Sequence, residues 1–319
     1  MKNGGRMPGV RWPKLKTVSK KEKALSVTQA LVLEGKTLAQ TIRDEIKAAV
    51  NGFVSEGLER PRLLAVQVSR DPSADWYLDQ QKKWAEKLGI EFDDLLTPGR
   101  TKIQSQKELL NHLNEYRSGG RGKAHGIFLA QPLPRGFDVD EALLALDPKK
   151  DVEGVHPVSL GLMVLRKTRL IPPTAHAAYR LIQSTGIALR GKKAVIVGQS
   201  AIVGRPLNLL LGEQRVTTTV CNTGTSMKDL QQAVSEADIV AACAGQPGVI
   251  KGAWIKPGAV VIDVGTTEID GKLIGDVEFE EASKRAGFIT PVPGGVGPLT
   301  VTMLMDNLIR AYKWQKGIS

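Results

Sequence analysis

The chain has 319 residues, 42 % apolar and 24 % charged, an ordinary balance for a globular protein of about two domains. No uninterrupted apolar run approaches the roughly 18 residues that span a bilayer, and two cysteines, Cys221 and Cys243, are too few for a disulfide framework and suit a reducing compartment, the cytoplasm. The net charge of +11 sits mostly in residues 1–24, where eight lysines and arginines against Glu22 give +7, so the body of the chain makes no case for nucleic acid.

Residues 1–29 read as a disordered basic tail: Gly4, Gly5, Pro8 and Pro13 interrupt it, and no apolar signal segment is present. From Ala30 the pattern becomes regular. Leu38, Ile42, Ile46 and Val50 recur at helical spacing and predict an amphipathic helix over 37–56. Leu63–Val68 predicts a buried strand. Asp71-Pro72-Ser73 predicts a turn and cap before a helix that runs to Leu88 and stops at Gly89. A helix over 105–116, a glycine loop over 118–122, a strand over 126–129 and a helix over 139–146 follow.

Charge and proline cluster at Asp147–Pro157, where a domain boundary is expected. Beyond it come helix 175–185, strand 193–197, helix 203–212, and strands 217–220, 239–242 and 260–263, closed by a helix over 300–316. Short apolar strands alternating with helices predict an α/β fold with a parallel sheet covered on both faces.

The stretch Lys193–Pro206 carries the sharpest local chemistry. A β-branched strand runs into Gly198, then Ser200, then Gly204. Gly198 permits a tight turn off the strand end, a small residue at 200 lets backbone approach a pyrophosphate, and the next helix start offers free N–H groups. The spacing departs from the usual dinucleotide fingerprint. The next strand ends Val220-Cys221-Asn222-Thr223 with no acid to repel a 2′-phosphate, and Arg205 is a candidate charge partner, which favours NADP over NAD.

Taken with Gly198–Pro206, the run Thr290-Pro291-Val292-Pro293-Gly294-Gly295-Val296-Gly297-Pro298-Leu299-Thr300-Val301 resembles the methylenetetrahydrofolate dehydrogenase/cyclohydrolase family, as do Lys150–Gly154 and Gly35–Ala39. The likeness covers about residues 30–316. It implies two α/β domains: a folate-binding catalytic domain over 30–152, completed by the helix 300–316, and a Rossmann-like NADP-binding domain over 153–299. It implies a homodimer that oxidises 5,10-methylenetetrahydrofolate with NADP⁺ and, in bifunctional members, hydrolyses the methenyl product to 10-formyltetrahydrofolate. Gly198, Gln199, Ser200, Thr223 and Thr266 match nucleotide-contacting positions, and Pro293–Val301 matches the substrate loop. Gly294, Gly295 and Gly297 suit close backbone approach to a flat pterin.

The chain departs from the family on the folate side. The family's catalytic helix carries Tyr and, four residues later, Lys; two such side chains share one helix face. Here Tyr77 matches and Gln81 stands at the lysine position, while Lys82 is roughly 100° further round. The family's strand end Gln-Leu-Pro-Leu-Pro is here Leu129-Ala130-Gln131-Pro132-Leu133-Pro134, so Gln131 recovers the glutamine's role only if the backbone bulges. The family's Asp is Glu153, and its Pro-Cys-Thr-Pro is Pro172-Pro173-Thr174-Ala175. Tyr77, Gln81 and Glu153 are therefore the candidate catalytic residues, and Asp263 is expected to organise a loop. Hydride transfer needs positioning, whereas hydrolysis needs a proton moved, which a neutral amide cannot do. The expectation is a dehydrogenase with weak or lost cyclohydrolase activity. The alternatives are a fully bifunctional enzyme, a folate- or nucleotide-binding paralogue without turnover, and an oxidoreductase of the same architecture acting on another substrate. His112, His125, His156 and His176 are too scattered for a metal site, and none is expected.

Overall fold

The computed structural model describes residues 29–68, 72–94, 103–117 and 123–318. The basic tail, the turn at Asp71 and the loop at 118–122 lie outside the described residues. In chain order the elements are β1 (Leu31–Val32), α1 (Gly35–Ser55), β2 (Arg62–Val66), α2 (Pro72–Leu88), β3 (Glu91–Asp94), α3 (Gln106–Glu115), β4 (Gly126–Leu129), α4 (Val139–Ala145), α5 (Pro157–Val164) and α6 (Pro173–Ser184). The second half continues with β5 (Lys193–Val197), α7 (Gly204–Glu213), β6 (Thr217–Cys221), α8 (Met227–Glu236), β7 (Ile239–Ala242), β8 (Val260–Asp263), β9 (Thr267–Ile269), β10 (Lys272–Ile274), α9 (Phe279–Ser283), β11 (Phe288–Ile289) and α10 (Val296–Lys316). Among the described residues no helix is long and apolar enough to cross a membrane.

Two parallel sheets result. The smaller has the order β3-β2-β4 and the larger β1-β11-β8-β7-β5-β6. β1 pairs with β11, Leu31 opposite Phe288 and Val32 opposite Ile289, so the first strand after the tail belongs to the larger sheet. α1 then carries the chain to the smaller sheet, burying Ala39, Ile42, Ile46, Val50 and Phe53. α10 buries twelve of its residues and packs on α1 and α6. Its Asn307 amide accepts from Ile171 N at 3.3 Å and donates to Val152 O and Ile171 O, each at 2.7 Å. That one side chain fixes the segment carrying Glu153.

Several elements were not expected from the sequence. β3 reads Glu-Phe-Asp-Asp and has no apolar alternation; its pairing with β2 supplies the hydrogen bonds. α8 has only Leu230 and Val234 as buried anchors, yet Ser226 caps it by accepting from Asp229 N. The β9–β10 hairpin turns at Asp270-Gly271, both with positive φ (51° and 73°), a turn signal legible in the sequence.

Candidate active site

β5 is a run of β-branched and small residues that ends in the interior of the larger sheet, and Gly198 turns the chain there with φ 113°. A Cβ at Gly198 would overlap the carbonyl of Cys243, and one at Gly204 would overlap the carbonyl of Gly198. The turn is stitched by Gly198 N to Cys221 O (2.8 Å), Val203 N to Ser200 Oγ (3.2 Å) and Arg205 N to Ser200 O (3.1 Å). α7 starts at Gly204 without a side-chain cap; Arg205 N is taken by Ser200 O, Leu207 N by Val203 O, and Pro206 carries no N–H.

This turn walls a cleft of about 430 Å³ also lined by Asn222, Thr223, Thr225 and Ala244. Asn222 shapes its far side: Asn222 N donates to Thr225 Oγ1 (3.0 Å) and Gly224 N donates to Asn222 Oδ1 (2.9 Å). Asp229, further on in α8, is tied to the Ser226 hydroxyl at 2.7 Å. Gly198, Gln199, Ser200 and Thr223 thus converge on one cleft. Arg205 and Thr266, both exposed, do not line it. Asp263 organises its loop as expected, accepting from Gly265 N, Asp276 N and Val277 N at 2.9–3.0 Å.

On the folate side, Tyr77 and Gln81 stand one turn apart on α2. Tyr77 packs against Phe128 with ring centroids 5.5 Å apart. Gln81 is 0 % exposed, and neither atom of its amide has a hydrogen-bond partner. Such a group is costly to bury alone. Lys82 and Lys83 lie exposed, so neither takes over the lysine position. Burial, reinforced by the Glu153 charge, pushes the Tyr77 phenol above its ordinary range. Burial first, and then Asp151, pushes the Glu153 carboxyl up to about 8. Asp151 is occupied structurally, its Oδ2 accepting from His156 N and Ser159 Oγ, each at 2.8 Å.

The strand end settles whether the backbone bulges at Leu129–Gln131. The β2–β4 register runs unbroken from Leu63 opposite Gly126 to Val66 opposite Leu129, and Ala130 N still donates to Val66 O at 2.8 Å. There is no bulge, so Ala130 is buried at the glutamine position while Gln131 is exposed beyond the strand. Leu129 packs with Leu64 and Val66 on the other face of the sheet, and Phe128 is the residue that meets Tyr77. β4 is apolar on both faces, so its alternation is silent in the sequence.

The run Pro293–Val301 is partly helical. α10 begins at Val296, not at 300, because Pro298 is tolerated in a first turn where its missing N–H costs nothing. Gly295, Val296, Leu299 and Val301 are buried; Pro293 and Gly297 are exposed, and Gly294, Pro298 and Thr300 half-buried. Gly294 has φ 112°, open to glycine, and the Gly294 and Gly295 carbonyls both lie against Gly35 at the start of α1.

The raised Glu153 carboxyl has a thermodynamic signature. The native state keeps a proton that the unfolded chain releases near the ordinary 4.5, so stability falls as pH rises from about 4.5 to about 8 and is level above. Glu153→Gln removes that contribution. Thermal melts at pH 5 and pH 8 are expected to differ less in the variant than in the wild type; an identical difference in both would show that the proton is not held there.

The family profile described as tetrahydrofolate dehydrogenase/cyclohydrolase, catalytic domain, matches residues 33–153, and the one described as the NAD(P)-binding domain of the same enzymes matches residues 172–316. The chain is 43 % identical over 283 residues to bifunctional protein FolD 1 of Hydrogenovibrio crunogenus, covering 88 % of this chain and 97 % of that one. It is 41 % identical to bifunctional protein FolD of Geotalea daltonii, covering 89 % and 99 %. Among solved structures, the Trypanosoma brucei methylenetetrahydrofolate dehydrogenase–cyclohydrolase, complexed with NADP cofactor and inhibitor, superposes with a TM-score of 0.79 at 33 % identity, covering 90 % of this chain and 99 % of that one.

Proposed function

Because the chain belongs to the tetrahydrofolate dehydrogenase/cyclohydrolase family, we propose that it is an NADP-dependent 5,10-methylenetetrahydrofolate dehydrogenase in which the family's second step, hydrolysis of the methenyl product, is slow. The observation that carries the reading is the buried, unpartnered Gln81 amide one helical turn from Tyr77. It places a neutral donor–acceptor where the family pattern has a titratable amine.

NADP⁺, when bound, accepts the hydride that leaves the methylene carbon. The Gly198 turn and the Ser200 hydroxyl suit its pyrophosphate, and the acid-free loop Asn222–Thr225 suits its 2′-phosphate. Hydride loss turns the folate bridge into a cation. An amide at position 81 can orient the folate without repelling that developing charge, as an ammonium in a low-dielectric site would. Glu153, holding its proton at neutral pH, can donate to a pterin acceptor, and the half-buried Gly294 backbone offers it a surface free of side chain. Hydrolysis asks for more: water must be activated and a proton moved, which is worth roughly 10²–10⁴-fold when a side chain does it. Gln81 cannot titrate in that range.

The free thiols Cys221 and Cys243 support a reducing, cytoplasmic setting. A homodimer is supported by β6, which ends the larger sheet with Thr217, Thr219 and Val220 exposed along an edge that no strand among the described residues pairs.

The test is a paired assay of the purified protein. With 5,10-methylenetetrahydrofolate and NADP⁺, NADPH is expected to form at an enzymatic rate. With the methenyl compound alone, decay is expected near the uncatalysed rate. Fast decay in the second assay would show another base at work, and silence in both would leave a folate- or nucleotide-binding protein.

A further inference from the structure

The glycine loop and the catalytic helix come from opposite ends of the chain, and a single side chain bridges them. Arg43 lies on the third turn of α1 and is 9 % exposed. Its guanidinium carbon is 3.4 Å from the centroid of the Trp84 ring, and its Nη2 donates to Pro298 O at 3.2 Å. Trp84 follows Gln81 by three residues and Tyr77 by seven, so all three share one face of α2. Pro298 sits in the first turn of α10, directly after the loop.

α1 is seated on that loop independently. Gly35 N donates to Gly294 O at 3.0 Å, and a Cβ at Gly35 would overlap the Gly295 carbonyl. The first turn of α1 therefore holds the loop's backbone while its third turn reaches across to α2. Arg43 remains charged at neutral pH even though burial lowers its pKa to about 10. Its Nε is buried without a hydrogen-bond partner. Core stability alone would be served by an apolar residue here. A planar cation that stacks on an indole while donating sideways to a carbonyl is a geometry lysine cannot reproduce.

We propose that Arg43 is a positioning residue for folate turnover: stacked on Trp84 and bonded to Pro298, it sets the spacing between the glycine loop at Gly294 and the Tyr77–Gln81 face, and hence the slot for the pterin. It touches neither the reacting carbon nor the nucleotide. The inference rests on the folate reading above and specifies what shapes that site.

The test uses full-length Arg43→Lys and Trp84→Phe with steady-state kinetics and thermal melts. Arg43→Lys is expected to raise the KM for methylenetetrahydrofolate roughly tenfold, about the loss of one charge-assisted or stacked contact, with the KM for NADP⁺ unchanged. Trp84→Phe is expected to move the folate KM the same way by less, and the double variant to be no worse than Arg43→Lys, because both act through one contact. A folate KM that stays at the wild-type value, or a rise shared equally by both substrates, overturns the proposal and leaves Arg43 a structural residue. If Arg43→Lys does not fold, Trp84→Phe decides on the same terms. If the wild type binds folate but does not turn it over, the same comparison is made on the Kd for methylenetetrahydrofolate from tryptophan fluorescence, and the dehydrogenase reading is what falls.

Discussion

Gln81→Lys is expected to accelerate hydrolysis of methenyltetrahydrofolate by about 10²-fold or more over the wild type, the scale of one positioned acid–base group. The site is prepared for it. Position 81 is fully buried, lies one turn from Tyr77, and has no partner for its present amide. An amine there would be desolvated, which lowers its pKa toward neutrality, where a proton carrier works best. The Glu153 carboxyl, which pushes up the Tyr77 phenol, would face the same end of α2. The dehydrogenase rate is expected to stay level or fall, since a cation is being added beside a developing cation. Gln81→Met serves as the control: similar in bulk and unable to titrate, it should leave hydrolysis at the wild-type level. The loss of methenyl absorbance with time reads all three proteins. Equal decay with Gln81→Lys and wild type, or rapid decay already in the wild type, would remove position 81 from the account of hydrolysis.

Gly198→Ala is expected to weaken NADP⁺ binding by two orders of magnitude or more and to lower the melting temperature. Two costs combine. The residue has φ 113°, a conformation that an L side chain adopts only under strain of order 1–3 kcal/mol. The added carbon would also overlap the Cys243 carbonyl, a backbone atom held in place by Cys243 N bonding to Val197 O. Relief requires β5 and β7 to part or the turn to move, and either displaces Ser200 from the cleft. At about 1.4 kcal/mol per tenfold, roughly 3 kcal/mol of strain corresponds to about 10² in affinity. Gly212→Ala is the companion. It lies within α7 with nothing inside 4 Å of the added carbon, so it should be neutral or stabilise by up to about 1 kcal/mol. Nucleotide titration and melts separate the two glycines; near-normal binding by Gly198→Ala would mean that the turn does not hold the cofactor.

How much was legible depended on whether the determinant was local. β5, β7 and β8 fall where the apolar runs place them, and Gly198 turns as its position after such a run requires, because a buried parallel strand and a glycine turn are written within ten consecutive residues. α1 shows the next grade. Its apolar stripe predicted the helix, but the start at Gly35 rather than 37 is set by the Gly294 carbonyl, nearly 260 residues away. Arg43 is the third grade. It stands next to Ile42 in that stripe with nothing in its own segment to mark it, and Trp84 and Pro298 cover it.

By itself the sequence determined the α/β class, the nucleotide turn and the acid-free end of β6, since each follows from residue type within one segment; the missing amine at position 81 was legible only against the pattern of the family that the chain resembles. The tertiary structure alone decided that Leu129 faces away from Tyr77 while Phe128 faces it, that Gln131 stays outside while Ala130 fills the inside, and that α10 begins at Val296. It also decided that Arg43 joins the loop to α2. The physical reason is common to all of these. A strand apolar on both faces carries no alternation, and a contact between distant segments has no period. The face a side chain presents is then settled only when the two sheets, α1 and α10 pack together.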